Sequence, residues 1–174
     1  MSATPDDLFA FLDQLGIAHS TVTHPPLFTV DQSRALRGTI PGGHTKNLFL
    51  RDKKGALYLV VALEDARIDL KSVHHRLGAG RFSFGAADLL HETLGVAPGA
   101  VTPFGVINDT AGRVAVVLDA AMMEHDPLNY HPLANDRTSA VAPANLLRFI
   151  AACGHTPRII DLAGFERSPA AAAG

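Results

Sequence analysis

Two short segments of this 174-residue chain carry side chains that could take part in chemistry. The first is the run Gly42-Gly43-His44-Thr45-Lys46-Asn47, in which a glycine turn brings a lysine and an amide side chain to the start of an apolar stretch. A lysine in such a place can bind a phosphate, stabilise a developing negative charge, or act as a base where it is desolvated. A solvated lysine beside a turn is the alternative, and the spacing alone leaves both interpretations open.

The second segment is residues 128–138, LNYHPLANDRT. His131 precedes Pro132, which favours an extended backbone at the histidine, and polar residues follow closely. This pattern is typical of a site histidine. It is also typical of a loop histidine whose hydrogen bonds are satisfied by turn-forming neighbours.

Common catalytic motifs are absent from the sequence. It contains no GxSxG nucleophile elbow, no GxxxxGK[ST] phosphate loop and no HExxH zinc motif. The single cysteine, Cys153, excludes an internal disulfide and a multi-cysteine zinc site. We therefore expect neither a bound metal nor another cofactor.

The charge of the chain is unevenly distributed. The formal net charge is −2, which argues against a strongly basic nucleic-acid binder. Residues 34–81 nevertheless contain ten basic and four acidic side chains, a net +6, and the remainder of the chain carries −8. This segment would give a polyanion a local, oriented footprint unless the fold scatters its charges.

The elements that must position these residues follow from periodicity, caps and turn formers. They indicate an α+β fold in which a mixed, curved β-sheet is surrounded by helices. We expect one domain over residues 1–163 and a flexible, low-complexity tail over 164–174. Helices are expected at 5–15, 30–37, 69–77, 86–94 and 143–153, and strands at 18–23, 48–50, 57–63, 105–107, 114–118 and 157–162.

The composition predicts a globular cytoplasmic protein. Hydrophobic residues make up 47% of the chain and charged residues 18%, enough apolar material for a core. The apolar runs are far shorter than the roughly 20 residues of a membrane-spanning helix, and the acidic N-terminal region is unlike a secretory signal.

Three stretches resemble, in order and spacing, the YbaK-type family, the free-standing relatives of the editing domain inserted in bacterial prolyl-tRNA synthetases. They are FTVDQSRALRGTIPGGHTKNLFLRDKKGALYLVVAL, VTPFGVINDTAGRVAVVLD and LNYHPLANDRTSAV. The likeness covers roughly residues 5–162. The HTKNLFL and YHPL runs are most similar to the branch that removes alanine from mischarged tRNA(Pro). The neighbouring branch that removes cysteine from the same tRNA is the nearest alternative.

The resemblance implies a barrel-like sheet and an enzyme that hydrolyses the ester between an amino acid and the terminal ribose of tRNA, without metal or covalent intermediate. It implies that Lys46 is the catalytic lysine, holding the terminal phosphate or the developing charge. Asn47 would orient the substrate, Gly105 would offer its N–H to the ester carbonyl, and His131 would line the pocket beside Tyr130. The ribose 2′-hydroxyl would help to activate the water.

The implied partner is the acceptor end of tRNA(Pro), with prolyl-tRNA synthetase or the elongation machinery as transient partners and no membrane. Arg51, Lys53 and Lys54 are the expected tRNA contacts. The expected pocket walls are Leu27, Phe28, Val30 and Tyr130. Two alternatives stay open: a non-catalytic module that binds tRNA or a synthetase, and a small-molecule esterase.

Overall fold

The computed structural model describes residues 1–27 and 30–162, without the side chains of Val30, Ser33 and Arg37. The expected wall residue Phe28 and the expected tail at 164–174 lie outside the described residues, and the domain boundary at residue 163 stays a prediction. No helix in the described ranges is both long and apolar enough to cross a bilayer.

Eight strands form a mixed sheet in the described part of the chain. Their order is β1-β7-β6-β2-β3-β5-β8, and β4 pairs with β2 as well. The β2–β6, β3–β5 and β5–β8 pairs are parallel and the others antiparallel. The strands are β1 (His19–Thr23), β2 (Gly43–Asp52), β3 (Leu57–Leu63), β4 (Phe82–Phe84), β5 (Val114–Asp119), β6 (Leu128–Tyr130), β7 (Arg137–Val141) and β8 (Arg158–Ile160).

Within residues 1–27 and 30–162, five α-helices surround the sheet: α1 (Pro5–Gln14), α2 (Val30–Arg37), α3 (Val73–Leu77), α4 (Ala87–Leu94) and α5 (Pro143–Ala152). The first begins with a capping box. The Thr4 hydroxyl accepts from the Asp7 N–H, and the Asp7 carboxylate accepts from the Thr4 N–H. This reciprocal pair satisfies two donors that a helix start otherwise leaves unpaired.

The core lies on both faces of β3. Its continuous apolar run, LYLVVAL, is typical of a strand buried on two sides. Leu59 and Val61 face the larger cluster, which includes residues of α1, α4 and α5. Val60 faces a smaller cluster that includes residues of α3. The predicted α+β class with a mixed, curved sheet is confirmed.

Several predicted boundaries were wrong, mainly where pairing partners are distant in sequence. Strand β2 begins at Gly43, not at Leu48, because its first residues pair with β6 and β3. Residues 105–107 form part of a 3-10 helix, Pro103–Ile107, so there is no hairpin before β5. Helix α3 is shorter than predicted. Strands β4, β6 and β7 were not predicted at all.

Candidate functional site

A small pocket lies where the two halves of the sheet join. The junction is the short parallel pairing of β2 with β6, in which Gly43 is opposite Leu128 and His44 opposite Asn129. The pocket has a volume of about 80 Å³. Its lining comprises Leu27, Leu36, His44, Thr45, Asn47, Glu64, Asn129, Tyr130, His131 and Thr138.

Strand β2 presents Thr45 and Asn47 to this pocket. Side chains alternate along a strand, so these two share one side of β2 and Lys46 shares the other with Leu48. The Thr45 hydroxyl donates to the main-chain carbonyl of Asn129 at 2.7 Å, and the Asn47 Nδ2 lies 3.4 Å from Thr45 Oγ1. Asn47 Oδ1 is buried and has no hydrogen-bond partner among the described residues.

Asn129 on β6 is a pocket residue that the sequence analysis missed. Its Nδ2 donates to the carbonyl oxygens of Pro41 (3.1 Å) and Gly43 (3.2 Å). Because a carbonyl only accepts, these two bonds fix which end of the amide is nitrogen. The Oδ1 atom is buried and without a partner in the described ranges. Two residues of the pocket lining, Asn47 and Asn129, thus each have a buried amide oxygen with no hydrogen-bond partner in the described ranges.

His131 lines the same pocket and is held by its own turn. Its Nδ1 lies 2.9 Å from the Arg137 carbonyl oxygen, so Nδ1 donates and Nε2 is the acceptor of the neutral ring. Burial lowers the pKa of His131, opposed by the Arg137 hydrogen bond. The turn includes Leu133 at φ 68°, in the left-handed region, whose N–H donates to the His131 carbonyl. Strain of this kind indicates that the surrounding structure fixes the turn.

Tyr130 contributes to the pocket wall, but its hydroxyl points into the core. The hydroxyl donates to the sulfur of Met122 at 3.3 Å, and the ring packs edge-on against Phe104. Burial raises the pKa of Tyr130, so the phenol stays neutral. Tyr130 can therefore shape the pocket without serving as an acid or base there.

A second, larger pocket has a volume of about 560 Å³, and Lys46 is among the lining residues of neither pocket. Its Nζ donates a hydrogen bond to the main-chain carbonyl of Ala66, which lines this second pocket. Glu64 and His44 border both pockets. The lysine is thus beside the larger pocket, while its neighbours Thr45 and Asn47 line the smaller one.

Gly105 is not at either pocket, contrary to its expected role. Its N–H donates to the Thr102 carbonyl within the 3-10 helix, so it is not available to an ester oxygen. A Cβ at this position would lie 2.9 Å from the Leu94 Cβ and 3.0 Å from the Leu94 carbonyl oxygen. The glycine is required for close packing of the 3-10 helix against α4.

The expected tRNA contacts lie at the opposite end of β2 from the small pocket. Arg51 is exposed near the end of the strand, and Lys53 and Lys54 are exposed in the turn that follows. Arg51 lies six positions along the strand from Thr45, a distance of roughly 20 Å. A ligand that occupies the pocket can therefore contact these cations only if it is long enough to span this distance.

The other expected wall residues are only partly described. Leu27 and, from α2, Leu36 line the pocket. Phe28 and the Val30 side chain are outside the description. Within the described ranges, no group of three or more histidine, cysteine or carboxylate side chains is arranged to hold a metal ion.

Comparison with known proteins gives consistent matches over most of the chain. The family model for an aminoacyl-tRNA editing domain matches residues 24–149. The chain is 36% identical to the prolyl-tRNA editing protein ProX of Acetoanaerobium sticklandii, covering 89% of this chain and 95% of that protein. It is 37% identical to the prolyl-tRNA synthetase associated domain-containing protein 1 of Danio rerio, over 89% and 85% of the two chains.

A solved structure of a candidate trans-editing enzyme for prolyl-tRNA synthetase has the same fold. The TM-score is 0.69 at 20% sequence identity, and the match covers 94% of this chain and 98% of that one. At this identity the likeness shows the architecture alone.

Proposed function

The chain belongs to the aminoacyl-tRNA editing domain family, and we propose that it removes alanine from mischarged tRNA(Pro) by hydrolysing the aminoacyl ester. The resemblance seen in the sequence is confirmed by the family match. Members of this family are hydrolases that act on mischarged tRNA, and the prolyl-tRNA editing relatives support the same class of substrate for this chain. The choice of alanine, rather than another amino acid that tRNA(Pro) can carry by error, is our own assignment.

The observation that carries the proposal is the pair of adjoining pockets of unequal size. The smaller, about 80 Å³, suits a short amino-acid group. The larger, about 560 Å³, suits the terminal nucleoside. Glu64 and His44 border both pockets, so a substrate occupying both would have its ester bond near these residues. This division supports an aminoacyl ester of a nucleotide as the substrate.

We assign Lys46 the role of stabilising the negative charge that develops on the ester during hydrolysis. An ammonium placed beside a reacting carbonyl stabilises the oxyanion that forms when water attacks. Its Nζ is now held by the Ala66 carbonyl, at the wall of the larger pocket. A bound substrate would offer this donor the terminal phosphate or the ester oxygen, as the family resemblance implies.

The reaction needs little more than positioning. Water loses a proton as it adds to the ester carbonyl and gives a tetrahedral oxyanion. The C–O bond to the ribose then breaks, the ribose oxygen takes up a proton, and free amino acid and tRNA are released. Asn47 and Asn129, which line the small pocket, would fix the orientation of the substrate and of the water.

Selectivity against proline would come from exclusion by size. When an apolar pocket favours the larger of two ligands, one extra methylene changes the binding free energy by only about 1–3 kcal/mol. A small pocket instead excludes the larger ligand, because the two additional carbons of the proline ring overlap its wall. Leu27, Leu36 and Tyr130 supply the apolar part of this wall.

The tRNA would approach along β2. Its flexible 3′ end would enter the pockets while the acceptor stem contacts Arg51, Lys53 and Lys54 about 20 Å away. We propose the acceptor end of tRNA(Pro) as the partner, with the synthetase or the elongation machinery in transient contact.

The decisive experiment is deacylation of tRNA(Pro) charged in parallel with alanine, cysteine, serine or proline, by the wild-type protein and Lys46→Ala. We expect rapid loss of alanine, retention of proline, and loss of activity in the variant. Loss of cysteine instead would assign the protein to the neighbouring branch. Hydrolysis of none of the four would favour the non-catalytic binding module, and hydrolysis of simple esters without tRNA would favour the esterase.

A further inference from the structure

We infer that His24 is a positioning residue that fixes the Thr138 hydroxyl as a hydrogen-bond acceptor on the wall of the small pocket, an inference that rests on the proposed function. Neither residue belongs to the site expected from the sequence. Thr138 lines the pocket, and His24 lies behind it. Both are almost fully buried, with 7% and 9% of their surface exposed.

The first step is the position of the proton on His24. Its Nδ1 lies 2.8 Å from the carbonyl oxygen of Pro25. A carbonyl oxygen only accepts, so Nδ1 must carry the hydrogen. In the neutral ring the other nitrogen, Nε2, is then a lone-pair acceptor.

The second step is the direction of the next hydrogen bond. His24 Nε2 lies 2.8 Å from Thr138 Oγ1. Because Nε2 is the acceptor, the Thr138 hydroxyl must be the donor, and its only hydrogen is used behind the pocket wall. The remaining lone pairs of Oγ1 can only accept. Without His24, the hydroxyl could rotate and present its hydrogen to the pocket.

The backbone holds the two residues in this relationship. Strands β1 and β7 are paired with Val22 opposite Thr138, and the His24 N–H continues the pairing by donating to the Asp136 carbonyl at 2.9 Å. Thr138 lines the same pocket as Asn47 and Asn129. An acceptor at Thr138 favours a ligand end that donates, as the N–H and O–H groups of an aminoacyl-ribose do.

The first test measures the proton on His24 directly. Long-range ¹H–¹⁵N NMR of the imidazole distinguishes the two neutral tautomers without any assay of activity. We expect the Nδ1–H form for His24 in the wild-type protein. An Nε2–H form would overturn the inference whether or not the proposed function holds.

The second test compares variants in kcat/KM for deacylation. Thr138→Val keeps the shape but loses the hydroxyl, and we expect a loss of about 10- to 100-fold, with Thr138→Ser close to wild type. The matched control is Thr21→Val. It removes another hydroxyl between the same two strands, at 2.7 Å from Ser139 Oγ, away from the pocket, and should have little effect. Equal activity of Thr138→Val and wild type would overturn the inference while leaving the proposed function intact.

Two substitutions at His24 separate positioning from simple support of the loop. Glutamine places an amide near the position of Nε2 and can still accept from Thr138. Asparagine places its amide near Nδ1 and keeps only the contact with Pro25. We expect His24→Gln to retain more activity than His24→Asn, and the difference to disappear in a Thr138→Val background. The opposite order would show that His24 merely supports the loop; if either variant fails to fold, the Thr138 pair decides.

Discussion

The imidazole Nδ1 of His131 donates a hydrogen bond to the Arg137 main-chain carbonyl at 2.9 Å, across a turn in which Leu133 adopts a left-handed backbone. This bond fixes the ring against the pocket and determines which nitrogen is the acceptor. Burial is the largest influence on the pKa of His131 and lowers it. The folded protein therefore favours the neutral ring.

The first prediction concerns stability below neutral pH. The pKa of His131 is lower in the folded than in the unfolded protein, so acid protonates the unfolded state first. Its contribution to stability should be complete above the ordinary histidine pKa of about 6.5 and be lost as the pH falls below that value. His131→Asn should weaken this dependence, measured as the free energy of unfolding in urea between pH 5 and 8. The exposed His91, changed to Asn, is the control; an equal change in both variants would contradict the prediction.

The second prediction compares Lys46 with His131. Lys46→Ala should lower kcat/KM by about 100-fold or more, because it removes the charge assigned to the oxyanion. His131→Ala should cost far less, because we assign that ring to positioning. Single-turnover deacylation of alanyl-tRNA(Pro) measures both. Similar and nearly silent effects would contradict the assignment of Lys46.

The third prediction concerns the amide of Asn129. In Asn129→Asp a carboxylate oxygen would replace the Nδ2 that donates to Pro41 and Gly43, and it would face two carbonyl oxygens. We expect a loss of about 1–3 kcal/mol in the free energy of unfolding. The control is Asn145→Asp: Asn145 is half-buried and its Oδ1 accepts from Arg148 at 3.1 Å, an acceptor that aspartate keeps, so stability should change by less than about 0.5 kcal/mol. Equal stability of the two variants would show that the Asn129 amide does not stabilise the junction of β2 with β6.

The fourth prediction tests the basic residues at the end of β2. If Arg51, Lys53 and Lys54 contact phosphates, each change to glutamine should reduce the slope of log(kcat/KM) against log[salt] by about 0.7 to 0.9. Arg113→Gln is the control, since Arg113 is exposed, lies outside the positive segment and pairs with Glu92 at 3.1 Å. An unchanged slope in the β2 variants would mean that these side chains are only solvated.

The fifth prediction separates packing from catalysis at Gly105. Gly105→Ala would bring a Cβ within 2.9 Å of the Leu94 Cβ, so it should destabilise the fold by about 1–3 kcal/mol. The activity of the folded fraction should be unchanged. Gly38→Ala, whose added Cβ would be 3.7 Å from the Ala35 carbonyl oxygen, is the control for stability. A loss of kcat with normal stability would restore Gly105 to the site.

The parts of the fold that could be predicted from the sequence are those with local signals. Helix α1 has its capping box, α5 begins with a proline, and β3 is a continuous apolar run. Strands β6 and β7 have no comparable signal. They are short, and β7 pairs with β1, which lies more than 100 residues away in the chain, so their structure depends on tertiary contacts.

In the candidate site, too, residues with a local signal in the sequence could be predicted, and residues that depend on distant contacts could not. Asn47, Tyr130 and His131 lie at the small pocket, because they belong to segments whose composition or family resemblance attracted attention. Asn129 and Thr138 lie in the segment 128–138 but were assigned no role, and His24 was missed, since each matters only through a hydrogen bond to a residue distant in sequence. For Gly105, the family resemblance implied contact with the ester, whereas in the structure this glycine packs the 3-10 helix against α4.

The junction of β2 with β6 also bears on the order in which the molecule is assembled. The β2–β3 hairpin is local and can form early, whereas β6 and β7 must close loops of about 80 residues or more to reach β2 and β1. During synthesis the small pocket therefore cannot exist until β7 has left the ribosome. An incomplete chain would carry Lys46 but no cavity to select a substrate, so hydrolytic competence and selectivity would arise together, late in folding.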